Sequence, residues 1–127
     1  MYYFSKDDIL YLHSKIVAIY GGTLGLKDEG MLDSALNCPL MSFDRIDLYK
    51  TAIDKIARLS FSLVMDHPFY DGNKRIGAKI LDIGLKANGI DLKASNEELI
   101  EEFLLLASSK FTYQEFLLGF LLTFKNH

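Results

Sequence analysis

The chain has 127 residues, of which 50% are hydrophobic and 24% charged. This composition is that of one folded domain spanning residues 1–127, and it excludes a disordered chain. The net charge of -3 argues against a nucleic-acid coat, which needs a cationic surface to displace counterions, and the single Cys38 excludes an intramolecular disulfide framework or a multi-cysteine zinc site.

The periodicity is helical nearly throughout. Ser5 is placed to cap a first helix, with Asp8 three residues on, and Phe4 and Ile9 stand at the two staple positions. Ile9, Leu12, Ile16, Ile19 and Tyr20 form its stripe, and Gly21-Gly22 ends it. A glycine-rich loop to Asp28 precedes a short helix over 29–37, expected to bury Met31, Leu32, Ala35 and Leu36 before Pro39. A longer helix is expected over 47–65, with Tyr49, Ala52, Ile53, Ile56, Ser60, Leu63 and Val64 on one face. Pro68 stops it, because proline disfavours α geometry in the residue before it. The next helix, over 73–88, has one polar stripe of Lys79, Asp82 and Lys86, and so reads as the central helix. Residues 90–94 alternate and are open to an extended segment, a hairpin or a loop. Capping boxes at Ser95–Glu98 and Thr112–Glu115 announce two further helices, the last carrying Phe116, Leu117, Phe120, Leu121 and Phe124. The expectation is an all-α domain, a compact bundle of about six helices. With no apolar leader after Met1, and 116–124 too short to span a bilayer, it is expected to be cytoplasmic, without a membrane or direct nucleic-acid partner.

Chemistry concentrates in the nine residues from His67 to Arg75, between the long helix and the central one. A helix start presents unpaired N–H groups and the positive end of the macrodipole. Gly72 lets the chain bend and approach a ligand closely. Lys74 and Arg75 are cations at a helix end that disfavours cations, and a bound anion reverses that cost, as at a phosphate site. Asp71 is placed to cap the helix or to hold Mg²⁺, and both roles are compatible. His67, four residues earlier, is an imidazole suited to take a proton from a hydroxyl near neutral pH. Asn73 is suited either to bind a phosphate oxygen or to fix the loop. Phe69 is expected to point inward as the loop's anchor. Taken together, these are the parts of phosphoryl or nucleotidyl transfer.

The segment resembles the Fic/Doc superfamily signature H-x-F-x-[DE]-G-N-[GK]-R, matched by His67, Phe69, Asp71, Gly72, Asn73, Lys74 and Arg75. The stretch from His13 through Tyr20-Gly21-Gly22 to Lys27-Asp28, followed by Leu32, Ser34, Ala35 and Leu36, is similar to the N-terminal pattern of the Doc (death-on-curing) branch, with Lys27 where an Arg is usual. AMP-transferring Fic members carry Gly at the position of Lys74 and a second Arg at that of Ala78. The resemblance therefore implies a Doc-type toxin of a bacterial toxin–antitoxin pair. Such a toxin is a kinase that uses ATP and Mg²⁺ to phosphorylate a threonine of translation elongation factor Tu. In these terms His67 is the catalytic base, Asp71 the metal ligand, and Gly72, Asn73, Lys74 and Arg75 the phosphate-binding set. A self-inhibiting [ST]-x-x-x-E-[GN] helix is not found, since Gly25 stands four residues before Glu29-Gly30. Inhibition by a segment of a cognate antitoxin is implied instead.

Two other readings stand beside this one: a nucleotidyltransferase that moves AMP onto a protein hydroxyl, and a non-catalytic antitoxin-binding module. His13 reads as structural, Cys38 as a small core residue, and the glutamates at 97, 98, 101 and 102 as a solvated face. Part of the last helix, or of the first, is open to use as a groove for an antitoxin helix.

Overall fold

The computed structural model describes residues 1–90, Glu98, Glu101 and 112–124. Among them are five α-helices: α1 (Lys6–Tyr20), α2 (Glu29–Asn37), α3 (Ala52–Asp66), α4 (Asn73–Ala87) and α5 (Tyr113–Phe124). The only sheet among these residues is a two-stranded antiparallel hairpin, β1 (Ser42–Phe43) with β2 (Ile46–Asp47). The fold is all-α, as expected. The capping box at 95–98 and the segment 91–94 lie outside the described residues, apart from Glu98.

Local chemistry sets the helix starts. Ser5 and Asp8 form the expected capping box on α1. Asp28 caps α2 through the Met31 N–H, and Thr51 caps α3 through the Asp54 N–H. Thr112 and Glu115 exchange the two bonds of a capping box at the start of α5. The cap at Thr51 corrects one boundary. The long helix begins at Ala52, not near Asp47, because the preceding residues turn through Asp44 and Arg45 at φ 51° and 65° into the hairpin. Two left-handed residues in succession match the right-handed twist of a tight hairpin.

The core lies between α3 and α4, with α1 and α2 packed over it. Ile56, Leu59, Leu63, Ile76, Ile80, Leu81 and Leu85 are fully buried there. Small residues let the two helices approach closely. A Cβ on Gly77 would lie 2.4 Å from Val64 Cγ2, and one on Gly84 would lie 2.8 Å from Ile56 Cγ2. α5 docks on α3 through Tyr113 and Phe116, and the Tyr113 hydroxyl donates to the Asp54 carboxylate and carbonyl. Burial, then that carboxylate, push the Tyr113 phenol well above its usual range.

α1 departs from its expected stripe. Its buried residues are Ile9, His13 and Ile16, whereas Ile19 and Tyr20 are exposed. Met31 on α2 is exposed as well. No helix among the described residues is long and apolar enough to cross a membrane.

Candidate active site

The loop between α3 and α4 is strained at its entrance and locked at its centre. His67 ends α3 in the left-handed conformation, φ 50° and ψ 59°. For a residue with a Cβ this costs roughly 1–2 kcal/mol. Such strain persists where the surroundings hold it and is common at functional sites. The His67 side chain is exposed, and its ring has no hydrogen-bonding partner among the described residues.

Phe69 is buried, as its anchoring role requires. Asn73 supplies the lock. Its Oδ1 accepts from the Phe69 N–H at 3.0 Å, and its Nδ2 donates to the Phe69 carbonyl at 2.9 Å. Of the two roles open to Asn73, the geometry supplies the loop-fixing one. The side chain is buried, so any phosphate contact it adds is secondary to this ring.

The glycine-rich loop 21–28 clamps the same segment from outside. The N–H groups of Lys27 and Asp28 donate to the Pro68 carbonyl at 2.8 and 3.0 Å. Leu26 bridges Phe69 in antiparallel fashion. The Thr23 N–H donates to Asp71 Oδ2 at 2.7 Å. Gly22 is required here. At φ 105° it lies so close that a Cβ would be 2.9 Å from Asp71 Cβ. In sequence this loop reads as a glycine-rich connection between helices; its direct hold on Asp71 has no signature beyond the paired glycines.

His67, Asp71, Gly72, Asn73, Lys74 and Arg75, with Tyr70, line one open cavity of about 330 Å³ at the start of α4. The structure thus brings together every sequence-expected polar site residue, with Phe69 beneath them. α4 has Gly72 as N-cap, with no side-chain capping bond and no acid in its first turn. Neither Lys74 nor Arg75 forms an ion pair among the described residues. The Arg75 guanidinium carbon lies over the exposed Tyr20 ring, 3.9 Å from its centroid. A cation stacked on an aromatic face keeps its N–H edge free for an anion. Tyr20, expected in the core stripe, is exposed and packs against Arg75 instead.

Asp71 fits a nucleotide-bound Mg²⁺ and not an all-protein cage. Its Oδ1 accepts no hydrogen bond among the described residues, and no group of three metal-ligating side chains occurs among them. Mg²⁺ takes one or two carboxylates and completes its shell with phosphate and water.

Arg75 also lines a smaller groove of about 120 Å³ between α1 and α4. Its floor is apolar, with Leu12, Ile16 and Ala78, and Lys15 and Lys79 stand at its rim.

An all-α domain with an uncapped cationic helix start, a lone carboxylate and an exposed histidine on one cavity has groups that can hold an anion and accept a proton. Comparison with known proteins gives the class its name. A model described as the Fic/DOC family matches residues 3–84. The "Toxin Doc" of Mycolicibacterium smegmatis is 35% identical over 92 residues, which cover 72% of this chain and 68% of that protein. The chain belongs to the Fic/DOC family.

Proposed function

We propose that the protein is the toxin of a toxin–antitoxin pair and acts as a Doc-type protein kinase. It transfers the γ-phosphoryl group of ATP to a threonine or serine hydroxyl of a translation factor, elongation factor Tu in the first instance. The observation that carries this reading is the cavity at the start of α4. There, among the described residues, an imidazole without a hydrogen-bonding partner, a half-free carboxylate and two cations without an ion pair share one wall.

The chemistry follows from those positions. The free N–H groups of the first α4 turn, with Lys74 and Arg75, hold the phosphates. Asp71 would hold Mg²⁺ through its free carboxylate oxygen, and the ion would supply charge neutralisation on the phosphates. His67 takes the proton of the target hydroxyl. The hydroxyl oxygen forms its bond to the γ-phosphorus as the bond to the β,γ-bridging oxygen breaks, and ADP leaves. Proton acceptance needs an exposed ring with a free nitrogen, as His67 has.

Lys74 and Ala78 support transfer of the γ-phosphoryl group over transfer of AMP. Lys74 occupies space that a Gly would leave open to the phosphates. Ala78 stands in the α1/α4 groove where a second Arg would otherwise grip the outer ones. The same groove, apolar beneath and cationic at its rim, suits an acidic amphipathic segment of an antitoxin, which would lie against Arg75.

Labelled ATP tests the reading. With elongation factor Tu and Mg²⁺, label is expected to pass to protein from γ-labelled ATP and not from α-labelled ATP. The reverse pattern overturns the kinase in favour of nucleotidyl transfer. Undiminished cellular toxicity of His67→Ala would instead point to a non-catalytic module.

A further inference from the structure

Behind the loop lies a histidine with no part in the chemistry above. His13 projects from α1 and is 1% exposed. Its ring stacks on Phe69, with centroids 3.6 Å apart and planes 10° from parallel. Its Nε2 lies 2.7 Å from the Asp71 carbonyl oxygen. A carbonyl only accepts, so Nε2 carries the proton and donates it.

That hydrogen bond has a consequence on the far side of the peptide. In a planar trans peptide the C=O and the following N–H point in opposite directions. Drawing the Asp71 carbonyl toward α1 turns the Gly72 N–H away from α1. The cavity is lined by Gly72 and by no residue of α1. The Gly72 N–H makes no hydrogen bond among the described residues, so it is a free donor at the start of α4. Gly72 itself sits at φ 78° and ψ 14°. Glycine populates both signs of φ, so the peptide before it is easily flipped. A flipped peptide would aim the Asp71 oxygen where an anion is to bind.

We infer that His13 is a positioning residue: it locks the Asp71–Gly72 peptide so that the Gly72 N–H faces the bound phosphate. Phe69 fixes the plane of the imidazole and Nε2 fixes the carbonyl. The inference rests on the reading of this loop as a phosphate site.

The test uses inorganic triphosphate as probe on the full ¹⁵N-labelled chain, following the Gly72 amide resonance. His13→Phe keeps a ring to stack on Phe69 and loses the donor. His13→Gln loses the ring and keeps an N–H at comparable reach. A neutral hydrogen bond contributes about 0.5–1.5 kcal/mol, so His13→Phe is expected to weaken triphosphate binding by roughly three- to tenfold and to shift the free Gly72 amide. His13→Gln is expected to stay within about twofold of the parent, a rescue that a purely space-filling role would not give. Equal binding by His13→Phe and the parent overturns the positioning role and leaves the phosphate reading intact. A parent chain that binds no triphosphate removes the phosphate reading, and the inference with it. Should the variants not fold, the imidazole ¹⁵N spectrum of the parent decides. A protonated Nε2 with a slowly exchanging hydrogen supports the lock, and a ring protonated on Nδ1 alone overturns it.

Discussion

The two ends of α4 are built on opposite plans. At its C-terminal end, the Asn88 N–H bonds the Gly84 and Leu85 carbonyls, the Gly89 N–H bonds Lys86, and the Ile90 N–H bonds Leu85 at 2.8 Å. Gly89 takes φ 80°, the left-handed closure that retires the last carbonyls of a helix, and Lys86 in the last turn complements the dipole. At the N-terminal end none of this is done. The other four described helices start on a side-chain cap, at Ser5, Asp28, Thr51 and Thr112. α4 starts on Gly72 and carries Lys74 and Arg75 against its dipole. One end is finished for stability, and the other is not. On the proposed phosphate-site reading, the stability withheld there is what a phosphate ligand recovers on binding.

The largest expected effect separates chemistry from this anion binding. Replacing His67 by Ala is expected to lower single-turnover phosphorylation by about 10²–10⁴-fold, the range for loss of a general base. ATP affinity, measured by equilibrium titration, should stay within about twofold, because the imidazole is no part of the α4 helix end. A matching loss of affinity would mean that His67 belongs to the binding end and would blur the comparison. Next in size is Gly77→Ala, in the second turn of α4, whose new Cβ would lie 2.4 Å from Val64 Cγ2. Overpacking of a close helix contact costs about 1–3 kcal/mol, so denaturant midpoints should fall, and unchanged stability would show that α3 does not fix α4. Smaller again is the backbone strain at His67. Because φ is 50° there, His67→Gly is expected to be more stable than His67→Ala by roughly 1 kcal/mol. Equal unfolding midpoints would mean that the left-handed turn stores no strain.

How much of this could be read in advance depended on whether the signal was local. The caps at Ser5 and Thr112 are short-range hydrogen bonds written into three or four residues, and the structure contains both. The loop from His67 to Arg75 was legible because adjacent residues carry its groups and share one cavity. The hairpin was not legible. Its strands are two residues each, too short to show a period, and Tyr49 falls in helical register with Ile53 and Ile56, which extended the apparent helix backward. His13 was read as structural and is buried as such, but its contact, like that of Tyr20, was illegible for a different reason. Their roles are set by partners 58 and 55 positions away, Asp71 and Arg75, and no local period carries such a contact. A helix stripe shows which face is apolar; it does not show that one aromatic on it will face a guanidinium.

The smallest effect is the sharpest test of the contrast, because it predicts a sign. If the α4 N-terminal end is held in an unfavourable charge state for its ligand, an acid there should help the empty protein. Lys74→Glu removes a cation opposed to the dipole and adds an anion aligned with it. Such changes within the first turn contribute about 0.3–1 kcal/mol at low salt, so the unfolding midpoint of the ligand-free chain should rise. Triphosphate binding should be lost in the same variant, since the new carboxylate repels the anion that the helix end attracts. Lys86→Glu is the mirror experiment at the finished end. It places an anion against the carbonyl pole and beside Asp82, which Lys86 now bonds at 2.9 Å, so stability should fall. Both shifts are electrostatic, so raising the ionic strength should shrink the Lys74 shift toward zero, while the Lys86 shift, made against the buried Asp82, should shrink less. Opposite signs at low salt, converging at high salt, are the signature of a helix with one end satisfied and one end waiting. If Lys74→Glu destabilises as much as Lys86→Glu does, the start of α4 is already satisfied without a ligand, and the two ends do not differ in kind.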